Sequence, residues 1–165
     1  MVLSIEILFV ILGWILGVSN FFIIAYYKER RTKKFASKAI LLEVEANQNR
    51  IQTHIKNGED VLNELNENDA DFEIVDVNFD RTIYSALADK IGLLDSKIQD
   101  SVVQYYTKIP LVEDEVRACN KKYSSYHSQR VRKIRKSALE RSIKNAIEAN
   151  NIGEEVLNVK QKNTG

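Results

Sequence analysis

Few side chains in this sequence are placed for chemistry, and the most unusual of them lie in or beside an apolar run. The stretch from Ile7 to Ala25, ILFVILGWILGVSNFFIIA, carries no charge, yet Glu6 stands at its edge and Asn20 lies inside it, with Gly13 and Gly17 between them. At about 100° per residue, Glu6, Val10, Gly13, Gly17, Asn20 and Ile24 fall within a sector of about 80° of a helix. Gly13 and Gly17 form a GxxxG, which lets two backbones approach closely, and Asn20 can then hydrogen-bond across the contact instead of lying bare in lipid. This face predicts a homo-oligomer. A narrower reading has several copies lining a polar path with Glu6 and Asn20 facing it, because ionisable groups at membrane depth mark pathways. The plain alternative is a common glycine pair with Glu6 at the outer interface.

The second cluster is cationic. A basic helix is predicted from Ser128 to Asn150, with Arg130, Arg132, Lys133, Arg135, Lys136, Arg141 and Lys144 around a thin apolar side of Val131, Ile134 and Ala138. Three partners fit it. One is the acidic first helix of the same domain. Another is anionic lipid, to which each basic residue near the surface contributes about 1 kcal/mol. The third is phosphate, from nucleic acid or a nucleotide messenger, with Tyr123 and Tyr126 free to stack on a base or to fill the core. Arg130, Arg132, Lys133, Arg135 and Lys136 are the expected anion- or lipid-binding set.

Catalytic arrangements are missing from the pattern. His54 and His127 stand without the spaced Cys, His or carboxylate partners of a transition-metal site, and no metal or cofactor is expected. Cys119 falls on the apolar side of its helix and reads as a core thiol. No GxxxxGK[ST], GxGxxG, GxSxG or HExxH occurs. Glu43 and Glu45, two apart on a helix, point to different faces. The expectation is a protein that is not an enzyme.

The elements that must position these groups begin with the apolar run. Its 19 residues, at about 1.5 Å each, match the roughly 30 Å hydrocarbon core of a bilayer, so a transmembrane helix over residues 1–27 is predicted. A cleaved signal peptide predicts basic residues before the run and a small-x-small site after it; MVLSIE has neither charge of that sign nor such a sequel. Tyr26 and Tyr27 suit the headgroup level. The basic flank of residues 28–34, with Lys28, Arg30, Arg31, Lys33 and Lys34, predicts a cytoplasmic C-terminal side and an N-terminus outside. The single cysteine and the absence of an Asn-x-Ser/Thr sequon agree with a cytosolic domain at a cell (inner) membrane.

Residues 35–150 suffice for one core, and one proline with six glycines in the whole chain points to helices. The fold class read here is all-α, with an N-terminal transmembrane helix followed by a cytosolic bundle of three to four helices. The net charge of +1 conceals an asymmetry: Glu43 to Asp80 holds eleven acids against two bases, and Arg117 to Lys144 ten bases against one acid.

No glycine or proline interrupts residues 18–57, so the span either continues into the cytosol as one helix or bends in the flank. Ile40, Val44, Ile51, Ile55, Leu62 and Leu65 form a core stripe. Asn47 projects into that stripe, where it either fixes register between helices or lies at a wet edge of the bundle. Gly58 is expected to loosen or break the helix. FEIVDVNF reads as an extended connector whose Phe72, Val75 and Phe79 plug the core. Asp80 caps a short helix carrying Ile83, Tyr84, Leu87 and Ile91, with Gly92 supplying its C-terminal turn, and Asp95 or Ser96 caps the next. That helix runs past Pro110, with Ile98, Val102, Tyr105, Ile109, Val112, Val116 and Tyr123 on one face. Asn151, Ile152 and Gly153 end the last helix, leaving 151–165 as a tail.

The succession LLEVEANQNRI, a Phe-containing connector, YSALADKIGLLD and IQDSVVQYYTKI resembles a pattern in small prokaryotic single-span membrane proteins that pair a span with a cytosolic helical domain. The resemblance covers about residues 35–110. It implies a helical cytosolic domain and, for some such proteins, residence near phage-defence genes whose membrane-spanning effectors kill or arrest the infected cell. It implies no catalytic residues. The function expected from these readings is a bitopic membrane protein that self-associates through its span and presents a helical interaction domain to a protein partner. The alternative is a signal-gated membrane-permeabilising effector that senses an anionic nucleotide.

Overall fold

The structure, a computed structural model, describes residues 5–67, 72–121 and 129–162. Its first element, α1, is one unbroken helix of 63 residues, Ile5–Glu67, about 95 Å long at 1.5 Å per residue. Its window of apolar residues is long and apolar enough to cross a membrane, and none of the described residues covers it. Trp14, Phe9 and Phe21 are each at least 70% exposed. The first buried residue is Ala36, and from there the same helix becomes the wall of a domain.

Three long helices build that domain: the second half of α1, α3 (Ser96–Asn120) and α4 (Gln129–Lys162). A short α2 (Thr82–Ala86) and a 3-10 helix, Ala88–Leu93, precede α3. α4 runs antiparallel to α1, because Gly58 lies against Ile143 while Gln48 Nε2 donates to Asn150 O at 2.8 Å. It is antiparallel to α3 as well, with Arg141 paired to Glu115 and Lys108 to Glu148. α1 and α3 are therefore parallel, and the extended connector, residues 72–81, returns between them in the place a fourth helix would take.

The core follows the predicted stripes. Ile40, Val44 and Ile51 of α1 meet Ile98, Val102, Tyr105, Ile109 and Val112 of α3 in one cluster, with Ala146, Ala149 and Val156 of α4. The helix passes through Pro110, as its periodicity predicted. Tyr123 lies outside the described residues.

Several local expectations change. Gly58 does not break α1; it is buried, and a Cβ there would stand 2.8 Å from Ile143 Cγ1, so its role is close helix packing. Gly153 does not end α4, which continues to Lys162, because a side chain at 153 would overlap Gln48 and come within 2.9 Å of Tyr105 Cε2. A bare Cα lets α1, α3 and α4 converge there, and Val156 is fully buried one turn on. Gly92 sits inside the 3-10 helix and makes no left-handed turn. In the connector, Val75 is 77% exposed and Ile74, at 5%, plugs the core with Phe79, while Phe72 is half-buried. Successive side chains of an extended strand alternate faces, so a backbone fixed at Ile74 and Asp80 sends Val75 outward.

Candidate functional site

Polar side chains of α1 and α3 grip the connector's backbone. Asn47 Nδ2 donates to Asp80 O at 2.7 Å, and Asp80 N donates to Asn47 Oδ1 at 2.9 Å. At the connector's other end Asn120 repeats the arrangement: its Nδ2 donates to Ile74 O at 2.7 Å and its Oδ1 accepts from Ile74 N at 3.2 Å. A side-chain amide carries the same donor and acceptor as a peptide unit, so each asparagine stands in for a neighbouring strand. Asn47 is buried, not at a wet edge, and the register it sets is that of the connector against α1 instead of one helix against another.

Two buried carboxylates extend the grip. Glu113, 4% exposed, accepts from Phe79 N and from Arg81 Nη2, both at 3.0 Å. Glu43, 3% exposed, accepts from Ile83 N at 2.6 Å, from Tyr84 N at 3.1 Å and from the Tyr106 hydroxyl. Its negative charge thus meets the free amides of the first turn of α2. Burial, and then the bond to Glu43, push the Tyr106 phenol well above the usual tyrosine range. Tyr84 stacks on the Tyr106 ring at 3.9 Å between centroids. The N-cap position of α2 falls to Arg81, not to the predicted Asp80; one residue earlier, Asp80 Oδ1 accepts from Thr82 N at 3.0 Å, and that bond lowers its carboxyl below its ordinary value. Glu45 points outward, as its spacing from Glu43 requires.

Between α1 and the connector lies a groove of about 470 Å³. Asn49, Arg50, Thr53, His54 and Asn57 form one side and residues 74–78 the other. Arg50 Nη1 donates to Asn78 O at 2.8 Å across its rim. His54 is buried with its Nε2 2.8 Å from Ser142 Oγ, and burial lowers its pKa. The groove presents the amides of Asn49, Asn57 and Asn78, the Arg50 guanidinium and the Asp76 carboxylate beside the apolar Ile74, Val75 and Val77.

The predicted site residues fall as follows. Gly13 and Gly17 face open space and Asn20 is exposed on the same side of α1. Glu6 belongs to α1, its side chain outside the described residues. Lys28, Arg30, Arg31, Lys33 and Lys34 are exposed around the helix just past the apolar window. The basic set on α4 is divided. Arg130 and Lys133 are exposed, and Arg132 and Lys136 are half-buried. Arg135 is 2% exposed: its Nε donates to Cys119 O at 2.8 Å, its Nη2 donates to Phe72 O, and its guanidinium lies 4.6 Å from the Phe72 ring centre. Arg135 is thus a clamp between α3 and the connector and no part of a surface cation patch. Ile134, expected on the apolar side, is 42% exposed, with Leu139 taking that role. Among the described residues, Arg141 pairs with Glu115 at 2.8 Å and Glu148 with Lys108 at 2.5 Å, both joining α4 to α3, where the sequence expectation named the acidic α1.

Cys119 is fully buried, and burial pushes its thiol up to about 11. His127 and Tyr126 lie outside the described residues. No three His, Cys, Asp or Glu side chains gather as a metal-holding group among the described residues. Sequence reasoning missed Glu113 and Asn120, and gave Glu43 no role beyond facing away from Glu45. The available signal was angular: Glu43, Asn47 and His54 share the side of α1 that carries the core stripe. Neither a family model, nor a curated protein, nor a solved structure matches the chain.

Proposed function

We propose that this chain is a single-pass membrane protein, N-terminus outside, whose span self-associates and whose cytoplasmic helical domain binds a protein partner by contact, without turnover. The observation that carries this reading is α1 itself. One unbroken helix holds an apolar window that none of the described residues covers and, from Ala36 onward, supplies a wall of the domain's core. A buried domain helix cannot be shed from its span, so the domain is held at a fixed height and rotation above the bilayer. The seam of Gly13, Gly17 and Asn20 supplies the close-packing face for association. The test is a topology reporter fused after Gly165, combined with oxidative crosslinking of an Ile24→Cys chain in native membranes. An inward reporter and a crosslinked dimer are expected; a reporter on the outer face, or a chain that stays monomeric, rejects the reading.

The same continuity favours a second reading, a signal-gated effector that permeabilises the membrane, because a turn of the domain about α1 turns the span with it. Membrane potential in cells expressing the intact chain, against a Gly13→Leu, Gly17→Leu, Asn20→Leu chain matched for expression, tests it. Depolarisation that the triple variant abolishes selects the effector; silence from both is shared by an anchored module and an effector awaiting its signal.

A further inference from the structure

Two large apolar side chains stand bare on α1 well past the membrane window: Phe35, 71% exposed, and Leu42, 51% exposed. They are seven residues apart, so they share one face. At about 100° per residue that face is the face of Gly13, Gly17, Asn20 and Ile24; all six lie within a sector of about 60°. The helix between them is unbroken, so its azimuth carries from one end to the other.

The domain occupies the reverse side. Ile40, Val44, Asn47 and Ile51, all buried, centre roughly 180° from Gly13. A second helix laid along the seam therefore meets no part of its partner's connector, α3 or α4. Lipid does not cover the two residues either. Measured from Ala25, Phe35 and Leu42 stand about 15 Å and 26 Å beyond the window along the axis. A headgroup layer adds only about 5 to 8 Å on each side of the hydrocarbon.

We infer that the partner of this face is a second copy of the chain, and that the contact is a continuous parallel pairing of α1 with α1 running from Gly13 in the membrane to Leu42 in the domain. The inference rests on the proposed association of the span and extends it by the length of the helix above the bilayer. A parallel two-fold pair brings each seam residue opposite its own counterpart. Phe35 and Leu42 then bury against themselves as alternate layers of a seven-residue repeat. Arg31 and Lys38 fall on the same line. Their long stems carry the charges to the edge of the contact, and their mutual repulsion is what added salt relieves.

Single cysteines test this in the full chain in native membranes. The unsubstituted chain, with its one thiol buried, is the blank. Phe35→Cys and Leu42→Cys replace exposed side chains, so the core is untouched, and Ile24→Cys reports the span. Val103→Cys, 41% exposed on α3, reports random collision. Expected on oxidation is a shift from monomer to dimer at positions 24, 35 and 42, rising with salt at 42, with no shift at 103. Dimers at 24 alone overturn the continuous pairing and leave span association standing. Dimers nowhere overturn both. Equal dimer at 103 marks non-specific proximity and overturns the pairing.

Discussion

Asn47 and Asp80 exchange two hydrogen bonds, side chain to backbone and backbone to side chain, at 2.7 Å and 2.9 Å across 33 residues of sequence. The pair fixes where the connector lies on α1, and hence which of its side chains enter the core. Asn47→Leu leaves the Asp80 amide and carbonyl without partners where they are partly buried. An unsatisfied buried group costs about 1 to 3 kcal/mol, so a loss of about 2 to 4 kcal/mol is expected. Urea unfolding followed by the reactivity of Cys119, which is shielded until the domain opens, measures it. Asn47→Asp keeps the acceptor for Asp80 N–H but sets a carboxylate against Asp80 O, and is expected to rescue little.

Glu43→Ala strips Ile83 N, Tyr84 N and the Tyr106 hydroxyl of their common acceptor. The expected result is faster hydrogen exchange at the amides of Ile83 and Tyr84, with α3 unchanged beyond Val112. Tyr106→Phe removes only one of the three donors and is expected to cost about 1 kcal/mol. Exchange that stays slow in Glu43→Ala would show that α2 is held by its apolar contacts instead.

The two packing glycines differ in what surrounds them. Gly153→Ala is expected to destabilise by about 1 to 3 kcal/mol through overpacking, because the new methyl displaces Gln48 from its bond to Asn150 O and still meets Tyr105. Gly58→Ala faces only Ile143 and Leu139 side chains, which can change rotamer. There the gain in helix propensity of about 1 kcal/mol offsets the crowding, and a net change near zero is expected.

His54 makes the domain sensitive to mild acid. Burial lowers its pKa from 6.5, so the unfolded chain binds the proton more readily than the folded one. Stability from this group is fully present above 6.5 and falls as pH drops from 6.5 toward the folded-state value. Near-UV circular dichroism of the packed Tyr84, Tyr105 and Tyr106 reports the folded state. His54→Gln is expected to flatten the stability curve between about pH 5 and 7, a window set by the ordinary histidine value. An unchanged curve would place the acid sensitivity elsewhere.

Arg135 and Lys133, two residues apart, separate structure from surface. Arg135→Met removes charged donors from Cys119 O and Phe72 O, and a loss of about 2 to 4 kcal/mol is expected. Lys133→Ala is expected to stay within about 0.5 kcal/mol, as exposed positions do. Sedimentation with anionic and with neutral vesicles, at two salt concentrations, then shows whether Arg130 and Lys133 meet lipid at all.

What the sequence determined is what a short window can hold. An uncharged run the length of a bilayer and the apolar stripes of about 3.6-residue period on α1 and α3 required no partner to be seen. The all-α class followed from them. Tertiary structure alone decided the fate of the polar and small residues. Asn47, Glu43, Glu113 and Arg135 are buried, and Asn120 half-buried, because a backbone segment 30 or more residues away presents the complementary group, and no local pattern announces that segment. Gly58 and Gly153 looked like helix breakers because propensity is a local cost near 1 kcal/mol. Close contact with Gln48 and Tyr105 outweighs that cost at Gly153, and contact with Ile143 balances it at Gly58, only once α1 and α4 lie side by side. Val75 and Ile74 exchange faces for the same reason, since strand register is set by the groups that bind its backbone.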